Sequence, residues 1–179
     1  MFIDESGHLM MPFVAKTWGL RGQTPVLLHR ARHRQKVSVI GAVGISPRRR
    51  RCRLFFNTHL NASVNDRKVA AFLRDVLRHL RRGHVVVVWD RINSHRSKFL
   101  RHWIDRHPQL HTELLPPYAP ELNPVEWFWE DGSCHELANH GLDDLLELRS
   151  RVQRHGRKTR NNQTKLRSFL RASNLPLRI

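Results

Sequence analysis

Cysteine and long apolar runs are scarce in this 179-residue chain, and acidic residues are missing from both of its flanks. The two cysteines, Cys52 and Cys134, show neither a C-x-x-C spacing nor a partner pattern, which argues against a disulfide framework or a structural zinc site and leaves them as plain small residues. No uninterrupted apolar run exceeds five residues, as in Val85 to Trp89. A membrane span needs roughly 20. The opening MFIDESGHLM has no basic segment followed by an apolar core, so neither a secretory signal nor a transit peptide is read and a cytoplasmic location is expected.

The missing acids matter most. Lys and Arg number 32 against 15 Asp and Glu, a formal net charge of +17. From Ser6 to Asn65 there are eleven basic residues and no acid; from Leu148 to Ile179 there are ten and again no acid. Two basic flanks around a mixed centre suit a polyanion, because each neutralised phosphate releases condensed counterions. Nucleic acid is therefore the expected partner, held by HRARHRQK (Arg30, Arg32, Arg34, Lys36), PRRRRCR (Arg48, Arg49, Arg50, Arg51) and RVQRHGRKTR (Arg154, Arg157, Lys158, Arg160). Such segments would grip phosphates without reading sequence. Neither of the first two runs has an apolar face at helical spacing, so a membrane surface is not expected as partner.

The apolar periodicities describe an α/β domain. MFID reads as a strand that delivers Asp4 to its end, and Gly7 to Lys36 as an irregular hairpin or extended insertion. KVSVIGAVGI and CRLFFNTHL suggest antiparallel strands. Val69, Phe72, Leu73, Val76, Leu77 and Leu80 form one helical stripe, with Ser63, Asn65 and Asp66 as capping candidates. HVVVVWD reads as a parallel strand buried on both faces and ending on Asp90. Phe99, Leu100, Trp103 and Ile104 mark a second helix with Ser94 as a candidate cap, and LHTELL a further strand. Asn123 and Pro124 fit the N-cap and first position of a third helix that carries Glu126 in its first turn. Leu142 to Leu148 and Leu166 to Leu170 suggest two short helices separated by GRKTRNNQTK. The expected organisation is a catalytic α/β domain over residues 1–140 with a mixed sheet flanked by helices, and a basic helical extension over 141–179 packed on it.

Three acids stand out: Asp4 and Asp90 at strand ends, where ligands gather in such sheets, and Glu126 after a proline-rich loop. Converging carboxylates repel one another and raise each other's pKa unless cations compensate. Hard oxygen ligands select Mg²⁺ or Mn²⁺, and two such ions about 4 Å apart support in-line attack on phosphorus. Each acid alone has a plainer reading, as a strand-end cap or a group favouring the helix dipole.

The segments FIDES, VVVVWDRINSHRS and LLPPYAPELNPVEWFW resemble the three blocks of DDE-superfamily transposases of the mariner-like insertion-sequence group, and TWGLRGQTP resembles that group's segment between the first strands. The resemblance implies a ribonuclease-H-like fold, Asp4, Asp90 and Glu126 as catalytic and metal-holding triad, and metal-dependent DNA cleavage and strand transfer. The 35 residues between Asp90 and Glu126 (126 − 90 − 1) fit the group's spacing. His95 falls where the group often has histidine, and it either supports the site or caps the second helix; Asn123 is expected to support Glu126. The departures are Arg91, where many relatives have asparagine, and the stretch Glu130 to Cys134, which interrupts the expected end of the catalytic helix. The chain begins at the first catalytic strand, so the helix-turn-helix region that such transposases carry upstream is expected on a separate polypeptide, as in a split bacterial element, and a homodimer is compatible with the group. The alternatives are a catalytically inactive DNA-binding remnant and a metal-dependent nuclease of the same fold.

Overall fold

The computed structural model describes residues 1–28, 35–48, 51–80, 83–92, 95 and 97–175. Five strands, β1 (Phe2–Leu9), β2 (Lys36–Ile45), β3 (Cys52–Leu60), β4 (Val85–Trp89) and β5 (Leu110–Leu114), form one sheet in the order β3-β2-β1-β4-β5. β1, β2 and β3 are antiparallel, whereas β4 runs parallel to β1 and to β5. The sheet is therefore mixed, as the pattern of elements implied.

Alternation along the strands sends side chains to two cores. On one face Ile3, Ile40, Ala42, Val85, Val87 and Trp89 meet α1 (Asp66–Leu80) and α2 (Lys98–Asp105). On the other, Phe2, Val37, Val39, Val43 and Leu54 meet α3 (Pro124–Gly132), α4 (Leu145–Arg160) and α5 (Gln163–Ala172). Both faces of β2 are covered, so seven of its ten residues are buried in a continuous run, Val37–Val43. Asn65 caps α1, its Oδ1 accepting from Lys68 N at 3.1 Å. Among the described residues no helix is long and apolar enough to cross a membrane.

Several expectations need correction. β1 does not end at Asp4 but continues to Leu9, because it keeps pairing with β2, Asp4 opposite Gly41. β4 is not buried on both faces: Val86 is 46% exposed, since α3, α4 and α5 lie over the β1-β2-β3 side of the sheet. Phe99 is exposed too, under the Arg67 guanidinium, so the stripe of α2 is narrower than its apolar residues suggest. Ser94 lies outside the described residues; Ser97 caps α2, its hydroxyl accepting from Leu100 N at 3.0 Å. Of the two readings for the segment after β1, the described residues 11–28 follow the extended insertion, with Phe13 in a single bridge to Ala138, and not the hairpin. The tail helices are not separated by GRKTRNNQTK. α4 runs straight through Gly156 to Arg160, because Gly156 is where the helix lies against the Phe56 ring and a side chain would collide with it.

Candidate active site

The register of the sheet brings the first two acids together. Phe2 pairs with Val88, so stepping two residues along both parallel strands sets Asp4 level with Asp90. Asp4 is buried, 8% exposed, on the face covered by α3. Its Oδ2 accepts from Trp129 Nε1 at 2.8 Å, which gives the buried indole the partner its N–H requires. To reach Asp4 the indole crosses Gly41: a Cβ there would stand 2.7 Å from Trp129 Cη2. A glycine inside a buried strand marks such a close approach.

The third acid is delivered by the proline loop. Leu115 N donates to Trp89 O at 2.8 Å, fastening the start of the loop to the end of β4. Pro116, Pro117 and Pro120 then restrict the backbone, each fixing its own φ and limiting its predecessor. Asn123, 3% exposed, closes the loop. Its Oδ1 accepts from Val125 N at 3.2 Å as the N-cap of α3, and its Nδ2 donates to Ile3 O at 3.2 Å, tying the helix of Glu126 to the strand of Asp4. Asp4, Asp90 and Glu126 line one cleft of about 400 Å³, whose rim includes Arg91, Ile92 and Tyr118. The three predicted acids are thus brought together.

Their electrostatics show the strain of that convergence. Burial, then the charge of Glu126, pushes the Asp4 carboxyl up to about 7, against the Trp129 hydrogen bond. Burial and the charge of Asp90 raise Glu126 as well. Asp90 differs: burial acts to raise it, but hydrogen bonds from His95 and from Ile92 N outweigh that and leave it below the usual carboxylate range. His95 has no exposed side-chain surface. Its ring stacks on Trp89 at 4.4 Å, with Nδ1 3.0 Å from Asp90 Oδ1 and Nε2 2.9 Å from Glu5 Oε1. Donation from both nitrogens requires the imidazolium, and although burial opposes it these two carboxylates raise His95 to about 9. His95 therefore supports Asp90, and the helix-cap alternative falls to Ser97.

The cleft fits a divalent cation by its chemistry: three carboxylates, two of them held above their ordinary pKa by burial and by one another. Among the described residues no three Asp, Glu, His or Cys side chains stand close enough to enclose one ion. A cation here would have one or two protein carboxylates, with water or phosphate oxygens completing its shell, the usual habit of Mg²⁺.

Glu130 to Cys134 do not end the catalytic helix. α3 passes through Gly132 into a π-helical turn, Ser133–Leu137. At Gly132 a Cβ would stand 2.9 Å from the His155 ring, so the glycine admits α4 rather than stopping α3. Asp131 is held by Lys165 Nζ at 2.6 Å. Of the basic residues, Arg30, Arg32, Arg34, Arg49 and Arg50 lie outside the described residues. Lys36 donates to Ser63 Oγ at 3.0 Å, while Arg48 and Arg51 are exposed. Arg154 and Lys158 pair with Glu136 at 3.3 and 3.2 Å. Arg157 and Arg160 face β3 instead. Sequence reasoning missed Glu5, Gly41 and the hydrogen bond that Trp129 donates to Asp4. The isolated glycine in VIGAV was the available signal for the second; Glu5 gave none.

The family model described as DDE superfamily endonuclease matches residues 1–149. Among curated proteins nothing matches. In solved structures the chain is similar to the Mos1 mariner paired end complex with Mn, at 15% identity and a TM-score of 0.67, over 96% of this chain and 50% of that one. The Mos1 transposase paired-end complex with left transposon end gives 15% and 0.66 over the same shares. The catalytic domain of Mos1 mariner transposase gives 11% and 0.56, over 96% of this chain and 74% of that one. The chain thus spans about half the length of the first two. At such identities the likeness is one of fold, and the mixed sheet with helices on both faces is the ribonuclease-H-like architecture that the motifs implied.

Proposed function

The chain belongs to the DDE superfamily endonucleases, and on that premise we propose that it is the catalytic domain of a transposase that cuts DNA at the ends of an insertion element and joins them to a target. The observation that carries this reading is the convergence of Asp4, Asp90 and Glu126 on one cleft, two of them with raised pKa. Their roles would be to hold two divalent ions, Mg²⁺ or Mn²⁺, as the similar Mos1 complexes with Mn and Mg suggest. When bound, such ions supply an activated water or 3′-hydroxyl and a counter-charge for the leaving oxygen.

The chain's own residues do the positioning. Trp129 donates to Asp4 Oδ2 and so fixes that carboxyl in the wall of the cleft. His95 orients Asp90 and keeps it ionised. Asn123 holds the helix of Glu126 against β1. Arg91, exposed on the rim, is placed to meet a DNA phosphate. DNA is the proposed partner, in line with the transposon end present in a similar complex. A homodimer, a separate helix-turn-helix polypeptide for end recognition and a bacterial, nucleoid-associated setting complete the proposal.

The test is strand joining. Incubating the protein and Mn²⁺ with labelled duplexes that end in a free 3′-hydroxyl, together with supercoiled plasmid, should attach label to plasmid covalently. Cutting without joined product would leave a nuclease of the same fold.

A further inference from the structure

Two contiguous clefts run along the free edge of β3, outside the carboxylate cleft. One, of about 690 Å³, is lined by Arg51, Arg53, His79 and Arg160; the other, of about 410 Å³, by His59, Arg149 and Arg157. They share Phe56, Asn57 and Arg160. Strand register places Asp4 opposite Gly41 and Gly41 opposite Phe56, so this trough lies two strand spacings, about 10 Å, to the side of Asp4. Phe128, packed on Phe56, stands between them.

Edge strands attract other strands, but the first residues of this one are already covered by side chains. Gln163 accepts from Cys52 N and donates to Cys52 O, both at 2.9 Å, as a neighbouring strand would. Arg160 Nε donates to Leu54 O at 3.0 Å. These contacts leave no room for a protein strand to pair along the start of β3. The charges name a different occupant. On α4 the cations of one face are matched by acids: Arg151 with Glu147, Arg154 and Lys158 with Glu136. On the trough face Arg149, Arg157 and Arg160 have no acidic partner among the described residues, and the one acid in the lining, Asp75, lies between Arg74 and Arg78.

The guanidiniums are also held in place before any ligand arrives. Arg149 Nε donates to Thr58 Oγ1 at 3.2 Å, and Arg160 lies over the Phe56 ring at 4.9 Å. Burial and the neighbouring Arg157 lower the pKa of Arg160, as expected for a cation beside an unneutralised like charge. From residue 149 to residue 160 the helix rises about 16 Å. That is the axial length of four to five base pairs at about 3.4 Å each.

We propose that the β3-edge trough is a second DNA site, one that grips the phosphate backbone of a duplex segment outside the catalytic cleft, with Arg53, Arg149, Arg157 and Arg160 as its contacts. This rests on the reading of the chain as a DNA-processing enzyme, but its test needs neither metal nor cleavage.

The experiment uses the full chain carrying Asp90→Asn, in EDTA, with a short fluorescein-labelled duplex of arbitrary sequence, and follows anisotropy from about 50 to 200 mM salt. Arg53→Ala with Arg157→Ala should lower the slope of log K against log salt by about 2, because two phosphate contacts are lost. Arg101→Ala with Arg106→Ala, which removes two exposed cations of α2 and its C-cap outside the trough, should leave the slope unchanged. Arg53→Lys with Arg157→Lys should restore it, which separates lost charge from a folding defect. An unchanged slope in the first pair, or an equal fall in both alanine pairs, would overturn the proposal. Failure of cleavage by the unaltered protein would count against the catalytic reading alone.

Discussion

Asp4→Asn is expected to stabilise the metal-free protein above neutral pH. In the fold the carboxyl sits at about 7 against an ordinary 3.8, so the folded state keeps its proton through a window in which the unfolded chain has lost it. Stability therefore falls as pH rises from about 4 to about 7 and stays low above it. Three units at about 1.4 kcal/mol each set the penalty near 4 kcal/mol, an upper limit because water relaxes around the cleft. Asparagine keeps an oxygen to accept from Trp129 Nε1 and removes the charge that repels Glu126. The assay is urea unfolding in EDTA at pH 5 and pH 8. The variant's lead should grow from at most about 2 kcal/mol at pH 5 to at most about 4 kcal/mol at pH 8. Other groups titrate in this range, but the difference between the two proteins isolates Asp4. Parallel curves, or a variant less stable at pH 8, would refute the electrostatic account of the cleft.

His95 has the opposite sign. Its pKa is raised from 6.5 to about 9, so its pairing with Asp90 and Glu5 stabilises fully below about 6.5 and is lost as pH rises through 9. His95→Gln should remove up to about 3 kcal/mol of that decline between pH 6.5 and 9.5 in urea unfolding, and an unaltered decline would exclude the imidazolium bridge. Gly41→Ala should cost about 1–3 kcal/mol by overpacking against Trp129 and shift tryptophan emission; a neutral effect would contradict the close approach. Gly156→Ala, favoured by about 1 kcal/mol on helix propensity, should nevertheless lower the melting temperature, because the methyl group meets Phe56.

The third block was the most legible part of the molecule. In LLPPYAPELNPVEW each residue type has a strong local preference: prolines restrict φ, Asn123 caps, and Pro124 starts the helix that places Glu126. The α1 stripe was equally plain, since an apolar face packed on a sheet repeats at helical period. What escaped was decided by partners distant in sequence. β1 was read short because its second half, ESGHL, pairs only with β2 and carries polar residues. α4 was broken at Gly156 on propensity, whereas the glycine is there for Phe56, 100 positions earlier (156 − 56). The bridge from Glu5 to His95 spans two strands and a loop, and nothing local announces it.

Metal-dependent nicking of supercoiled plasmid, comparing wild type with Asp90→Asn at matched salt, tests the central claim most directly. The account predicts nicking by the wild type with Mg²⁺ or Mn²⁺, none in EDTA, and at least about a hundredfold loss in the variant with DNA binding retained. Equal cutting by both proteins, or cutting that survives EDTA, would contradict the assignment of Asp4, Asp90 and Glu126 as the centre of the reaction.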